Sequence, residues 1–207
     1  MSTNTALGAV LAGGRGSRLG GNKASVELAG RPLIDYPLAA IAAAGLKAVV
    51  VMKPDEAPTP SRGSFRIYGV QKEPRDSVTV LEEPLEARHP LCGIVAALGL
   101  RRPIVAVACD LPFVTSGLVE LLAEVSEPLV VPTLDGRPQP LLARYEPSLL
   151  PQLEEALERE EPLTRTVESL DPRWLTEDDL ARFGDPRRLL FNVNDPDDLR
   201  EAEALLR

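Results

Sequence analysis

Apolar residues run almost unbroken over positions 6–12 and give way to a cluster of glycines over 13–21. Such a run, closed by tight-turn residues, predicts a buried strand leading into a loop. Pro32 fits the first turn of a helix over 32–44, with Gly45 as its stop. The valine-rich stretch 46–52 reads as a second buried strand, and the proline-rich stretch 54–62 as loop. Further along, the pattern predicts a strand over 78–81, a helix over 93–100, a strand over 103–108, a helix over 116–125 capped by Ser116, and a short strand over 129–131. Strand and helix therefore alternate through the first two thirds of the chain. This alternation predicts an α/β fold, a mostly parallel sheet with right-handed crossovers. Continuously apolar strands mean burial on both faces, hence a three-layer α/β/α sandwich of Rossmann-like type. The last third differs, with glutamate-rich helical segments at 151–161 and 195–207 around a short apolar run, 189–193. No repeat or linker interrupts this plan, and a single domain over 1–207 is expected.

Composition narrows the function. The chain has 207 residues, 44% of them hydrophobic, which is ample for a core. Two cysteines cannot make a disulfide framework, and the first residues lack the plan of a signal peptide. The most apolar stretch, 38–52, is too short to span a bilayer and contains Gly45 and Lys47. A net charge of −8 speaks against nucleic-acid binding and a polybasic membrane anchor. A cytoplasmic protein is expected. The charge is uneven: residues 1–110 hold 13 basic and 10 acidic side chains, residues 111–207 hold 10 and 21. A net +3 front joined to a −11 back fits a small anion bound in the front half; a solvated acidic C-terminal surface is the plainer alternative.

The loop itself says which anion. LAGGRGSRLGGNK (11–23) carries five glycines and two arginines and ends on Lys23. Glycines let backbone N–H groups approach an anion, and Arg15, Arg18 and Lys23 supply charge. A nucleoside triphosphate suits this loop at the carboxyl end of a first strand. A dinucleotide fingerprint fails by one residue of spacing, and a P-loop fails because Asn22 stands where lysine belongs. Asp110 follows another apolar strand and precedes Leu111 and Pro112, which suits a carboxylate holding Mg²⁺ on the phosphates, or a loop-capping aspartate. Asn192 and Asn194 alternate with Phe191 and Val193, which puts both amides on one face. They can read a polar ligand, or NDP (194–196) can simply turn the chain and cap the last helix through Asp195. The one histidine, His89, has no second histidine to form a metal site. Cys92 and Cys109 read as small buried thiols, and Trp174 as packing.

The loop matches the L-A-[GA]-G-x-(G)-x-R-[ML]-G-x-x-K signature of nucleotidyltransferases with the nucleotide-diphospho-sugar transferase fold. Within them the chain most resembles the molybdenum cofactor guanylyltransferase family, nearly end to end. LAGRPL (28–33), PLCGIVAAL (90–98), ACDLPF (108–113), RPQPLLARY (137–145) and FNVNDPDDL (191–199) carry the resemblance. It implies transfer of GMP from GTP to the phosphate of the molybdopterin cofactor with release of pyrophosphate. Lys23, Arg18 and Asp110 would be catalytic, with Asp110 holding Mg²⁺. Leu11, Ala12, Gly13, Gly14, Arg15, Gly16, Glu82 and Glu83 would bind the nucleotide along with Lys23 and Asp110. Asn192 and Asn194 would bind the acceptor. The halves 1–110 and 111–207 would serve nucleotide and acceptor, and other molybdenum cofactor biosynthesis or carrier proteins are the implied partners. Three positions depart from the family pattern: Asn22 stands for aspartate, Met52-Lys53-Pro54 lacks an asparagine, and Asp195 stands for threonine. A cytidylyl- or sugar-nucleotide transferase using the same triphosphate site, and a non-catalytic nucleotide-binding regulator, are the alternatives.

Overall fold

A computed structural model describes residues 6–13, 19, 23–53, 79–82 and 89–207, and the backbone of 15, 16, 21 and 22. Strand β1 (Leu7–Leu11) leads to two small hairpins, β2 (Arg15–Gly16) with β3 (Gly21–Asn22), and β4 (Glu27–Leu28) with β5 (Arg31–Pro32). Helix α1 (Asp35–Ala43) and strands β6 (Lys47–Met52) and β7 (Thr79–Glu82) follow. Next come α2 (Leu91–Leu98), β8 (Ile104–Ala108), α3 (Ser116–Glu124) and β9 (Leu129–Leu134). Strand β9 returns through β10 (Arg137–Pro138) and β11 (Leu142–Tyr145) to α4 (Leu150–Glu158) and α5 (Leu163–Ser169). The chain ends with β12 (Arg173–Leu175), the short helices α6 (Glu177–Leu180) and α7 (Pro186–Leu189), and α8 (Pro196–Leu205).

One mixed, mostly parallel sheet organises these elements. Its order is β9, β11, β8, β1, β6, β7, with β10 continuing the return strand along β9 and β12 on the other side of β9. Strand β1 runs parallel to both β6 and β8, while β11 is antiparallel to β8 and β9. Helices α1 and α3 cover one face, packing Leu38, Ile41, Leu118 and Leu122 against Val10, Val50 and Val107. The opposite face packs Ile94, Leu98 and Leu153 of α2 and α4 against Ala9, Val49 and Ala106. Burial on both faces is why β1 and β8 read as unbroken apolar runs. Among the described residues no helix is long and apolar enough to cross a membrane.

The expected helix over 32–44 begins three residues late. Leu28 pairs with Arg31 across Ala29 (φ 52°) and Gly30 (φ 76°), a two-residue hairpin turn with both central residues left-handed. Pro32 is therefore in a strand. Arg31 Nη2 donates to the Asp35 carbonyl at 2.6 Å, and the Tyr36 hydroxyl donates to the Leu28 carbonyl at 2.7 Å, which ties the hairpin to α1. Ser116 is the first residue of α3, not its cap; Thr115 holds that position. Trp174, expected to pack, is 37% exposed on β12.

Gly8 sets the distance between α1 and the sheet. A Cβ there would lie 2.3 Å from Cγ2 of the fully buried Ile41. Overpacking of this kind costs about 1–3 kcal/mol. Gly8→Val is expected to lower the melting temperature by roughly 3–10 °C, at about 2–4 °C per kcal/mol for a chain of this size. An unchanged melting curve would mean that α1 does not rest on Gly8.

Candidate active site

Three distant segments meet at the carboxyl end of the sheet. Past β1 the chain folds back through β2 and β3, which returns it to a single 3₁₀ turn, Lys23–Ser25, beginning at Lys23. Asp110 lies just past β8, the parallel neighbour of β1, at the point where strand order reverses. Ligands bind at such a crevice in open α/β sheets. Asn194 precedes α8, whose cap is Asp195 with Pro196 in the first turn.

Lys23 joins the three segments. Its Nζ donates to Asp110 Oδ2 at 2.5 Å and to Asn194 Oδ1 at 2.7 Å. The Lys23 and Asp110 side chains are each only 13% exposed, so the pair is shielded from solvent. The backbone braces the same corner, with Val193 N donating to the Asp110 carbonyl at 3.0 Å and Cys109 N to the Leu11 carbonyl at 3.1 Å. Phe113 meets Phe191 edge-on at 6.1 Å between centroids, packing the segment after Asp110 against the one before Asn194. Asp110 Oδ1 is buried and has no hydrogen-bond partner among the described residues. A carboxylate oxygen so placed suits a divalent cation. Mg²⁺ commonly takes one or two protein carboxylates and completes its shell with water and phosphate. Among the described residues no group of three or more His, Cys, Asp or Glu side chains could hold a metal by itself.

The other expected site residues divide. The Leu11 carbonyl is used by Cys109, and Ala12 N donates to the Val51 carbonyl at 2.8 Å, so the sheet already uses these two groups. The Ala12 carbonyl and the Gly13 peptide lie beyond that last pairing. Glu82 is the exposed end of β7, paired in register with Met52. It is on the same sheet edge two strands out from β1, about 10 Å away at normal strand spacing. Gly14, Arg18, Glu83 and the Arg15 side chain lie outside the described residues, as does the loop expected over 54–62; for Arg15 and Gly16 the backbone pairs with Asn22 and Gly21. The two asparagines part ways. Asn192 Nδ2 donates to the Leu190 carbonyl at 3.0 Å, and Asn194 alone reaches Lys23. No spacing in the chain announces that last contact, since 171 positions separate the pair. Asp195 is a helix cap, its carboxylate accepting from Asp197 N and Asp198 N. His89 Nδ1 accepts from Leu91 N at the start of α2, and Cys92 and Cys109 are buried and in no disulfide.

Residues 8–173 match the family model described as the MobA-like NTP transferase domain. The chain belongs to this family. Known relatives match over nearly their whole lengths. A protein of Thermococcus kodakarensis named "probable molybdenum cofactor guanylyltransferase" is 30% identical over 206 residues, covering 96% of this chain and 94% of its own. One of the same name from Pelotomaculum thermopropionicum is 29% identical, covering 97% and 93%. The solved structure of molybdopterin-guanine dinucleotide biosynthesis protein A from Archaeoglobus fulgidus superposes with a TM-score of 0.79 at 28% identity, covering 96% of this chain and 97% of that one. A 4-diphosphocytidyl-2C-methyl-D-erythritol synthase of Anaerococcus prevotii shares the fold alone, with a TM-score of 0.69 at 12% identity. This MobA-like chain is accordingly a nucleotidyltransferase with a three-layer α/β/α fold.

Proposed function

We propose that this nucleotidyltransferase moves GMP from GTP onto the phosphate of the molybdopterin cofactor and releases pyrophosphate. One observation carries the reading: the lysine that closes the glycine loop is held between Asp110 and an asparagine of the FNVN segment. That geometry brings the lysine that ends the glycine loop, an unpartnered carboxylate oxygen and an amide of the FNVN segment to one point, which supports a phosphate-binding centre. The names of the relatives support the guanine and molybdopterin assignments.

The reaction needs little from the protein beyond positioning and charge. An acceptor phosphate oxygen forms a bond to the α-phosphorus while the bond to the bridging oxygen of the β-phosphate breaks. The nucleophile is already anionic, so no general base is required. Lys23 donates to the α-phosphate oxygens as negative charge gathers there. Arg18 and the loop N–H groups hold the departing phosphates, and Asn194 orients both Lys23 and the acceptor. Asp110 would hold Mg²⁺, which when bound neutralises the triphosphate. Backbone groups of Leu11 to Gly13 would edge the base, and Glu82 or Glu83 would contact the nucleoside. In this reading the enzyme works in the cytoplasm beside the proteins that make and carry the cofactor.

Pyrophosphate release with molybdopterin and each of GTP, CTP, ATP and UTP tests the assignment. GTP is expected to lead in kcat/KM by about 10²-fold, the upper end of the roughly 1–3 kcal/mol by which a bidentate hydrogen-bond pair to a base edge discriminates. A preference for CTP would replace the guanine reading with a cytidylyl one. No turnover with any of the four would favour a nucleotide-binding regulator.

A further inference from the structure

The contact between Asn194 and Lys23 depends on where the Asn194 backbone sits. Its position is fixed from one side by the neighbouring bond from Val193 N to the Asp110 carbonyl. From the other side it is fixed by α8. Asp198, in the first turn of that helix, turns its carboxylate back over the helix start. Its Oδ2 accepts from Asn194 N at 2.8 Å and from Asp195 N at 3.2 Å. A capping box needs only the second of these bonds, between the third helical residue and the cap. The remote box on α6 shows the ordinary form, with Asp179 Oδ2 accepting from Thr176 N and the Thr176 hydroxyl oxygen accepting from Asp179 N. The bond to Asn194 N reaches one residue beyond the cap, to the residue whose side chain meets Lys23.

We propose that Asp198 is a positioning residue for nucleotidyl transfer, holding Asn194 so that its carboxamide oxygen meets Lys23. The path is continuous: Asp198 Oδ2 to Asn194 N, Asn194 Oδ1 to Lys23 Nζ, Lys23 Nζ to Asp110 Oδ2. Charge supports the same role. The carboxylate sits beside two N–H groups at a helix N-terminus, where a negative charge is favoured. It fixes the amide without itself entering the ion pair. The inference rests on Lys23 being the cation that meets the transferring phosphate, and it is independent of which base the nucleotide carries.

The test is a double-mutant cycle in the full chain with GTP and molybdopterin, or with whichever nucleotide the enzyme prefers. Asp198→Ala is expected to lower kcat about 10-fold with the nucleotide KM within about 2-fold, as for an interaction felt mainly in the transition state. Asp198→Glu keeps a capping-box acceptor and is expected to restore most of kcat. Asp179→Ala, a matched loss of cap on α6, is expected to leave kcat unchanged. The deciding arm is the Asn194→Ala background, where adding Asp198→Ala should cost nothing further, because the positioned group is gone. An equal 10-fold loss in that background overturns the proposal, and so does an equal loss from Asp179→Ala. If Asp198→Ala does not fold, Asp198→Glu against Asp198→Asn reads the same coupling with the cap largely kept. Failure of the underlying reading looks different, since Lys23→Met would then turn over normally whatever the cycle shows.

Discussion

Lys23→Met is expected to lower kcat by about 10²–10³-fold while leaving the fold intact, the size of effect seen when one preorganised charge is removed from a developing anion. Methionine keeps most of the volume and the apolar stem but removes the ammonium that donates to Asp110 and Asn194. The variant also loses stability, and that loss is separable from the loss in rate. It comes from leaving the 13%-exposed Asp110 carboxylate without its cation, which costs about 1–3 kcal/mol for a shielded neutral group that loses its partner and more for a charged one. Single-turnover kinetics at saturating GTP separate the two effects, because a stability defect lowers the amount of active enzyme and not the rate constant. Lys23→Arg is no rescue. A planar guanidinium fork does not fit between two oxygens at 2.5 and 2.7 Å from a single nitrogen, and a loss of more than about 10-fold is expected. Normal turnover in Lys23→Met would remove the lysine from the chemistry and leave it as a strut between Asp110 and Asn194.

The parts of the fold that were legible in the sequence are those with an unambiguous local signal. Strands β1, β6 and β8 are buried on both faces, and a run such as IVAVA (104–108) has few other solutions. Strand β11 was legible only by resemblance, for a physical reason. Its register puts Arg144 in the core, 5% exposed, where the guanidinium donates to the carbonyls of Leu122 and Ala123 at 3.2 and 2.8 Å and pairs with Glu146. The charge is satisfied by the carboxyl end of α3, a partner that no local pattern reveals. The hairpin before α1 was hidden in another way. Ala29 at φ 52° gives no turn signal, and Pro32 looks like a helix start when read alone. The same device at Asp135-Gly136, φ 49° and 70°, carries the usual turn residues and returns β9 into β10. At the site, chemistry was legible residue by residue while adjacency was not. A lysine after glycines and an aspartate after a buried strand each suggest phosphate and metal. Their meeting with Asn194 follows only from the order of strands around β1 and from the packing of α8 on the β4 hairpin and Phe113.

That adjacency makes Asp110 the sharper test of mechanism, because two roles predict opposite results for one substitution. If Asp110 serves only to hold Lys23, then Asp110→Asn should be nearly harmless, since an amide oxygen can still accept from Nζ. If its unpartnered Oδ1 is there for a cation, the neutral amide is a poor ligand, and Asp110→Asn should be as damaging as Asp110→Ala. The second outcome is expected, with kcat lowered by about 10²-fold or more in both variants, as for loss of an electrostatic group at a phosphoryl site. The metal dependence should move with it. Half-saturation by Mg²⁺ at fixed GTP is expected to rise at least about 10-fold, since losing even an outer-shell partner of a metal ligand costs about 10–100-fold in affinity. In Lys23→Met it should rise little, because the carboxylate remains and is relieved of a competing cation. Titration of Mg²⁺ in the three variants therefore separates a carboxylate that binds metal from one that orients a lysine. Asp110→Asn with wild-type kcat and wild-type Mg²⁺ dependence would assign the 2.5 Å pair to positioning alone and shift the metal's protein ligand elsewhere in the site.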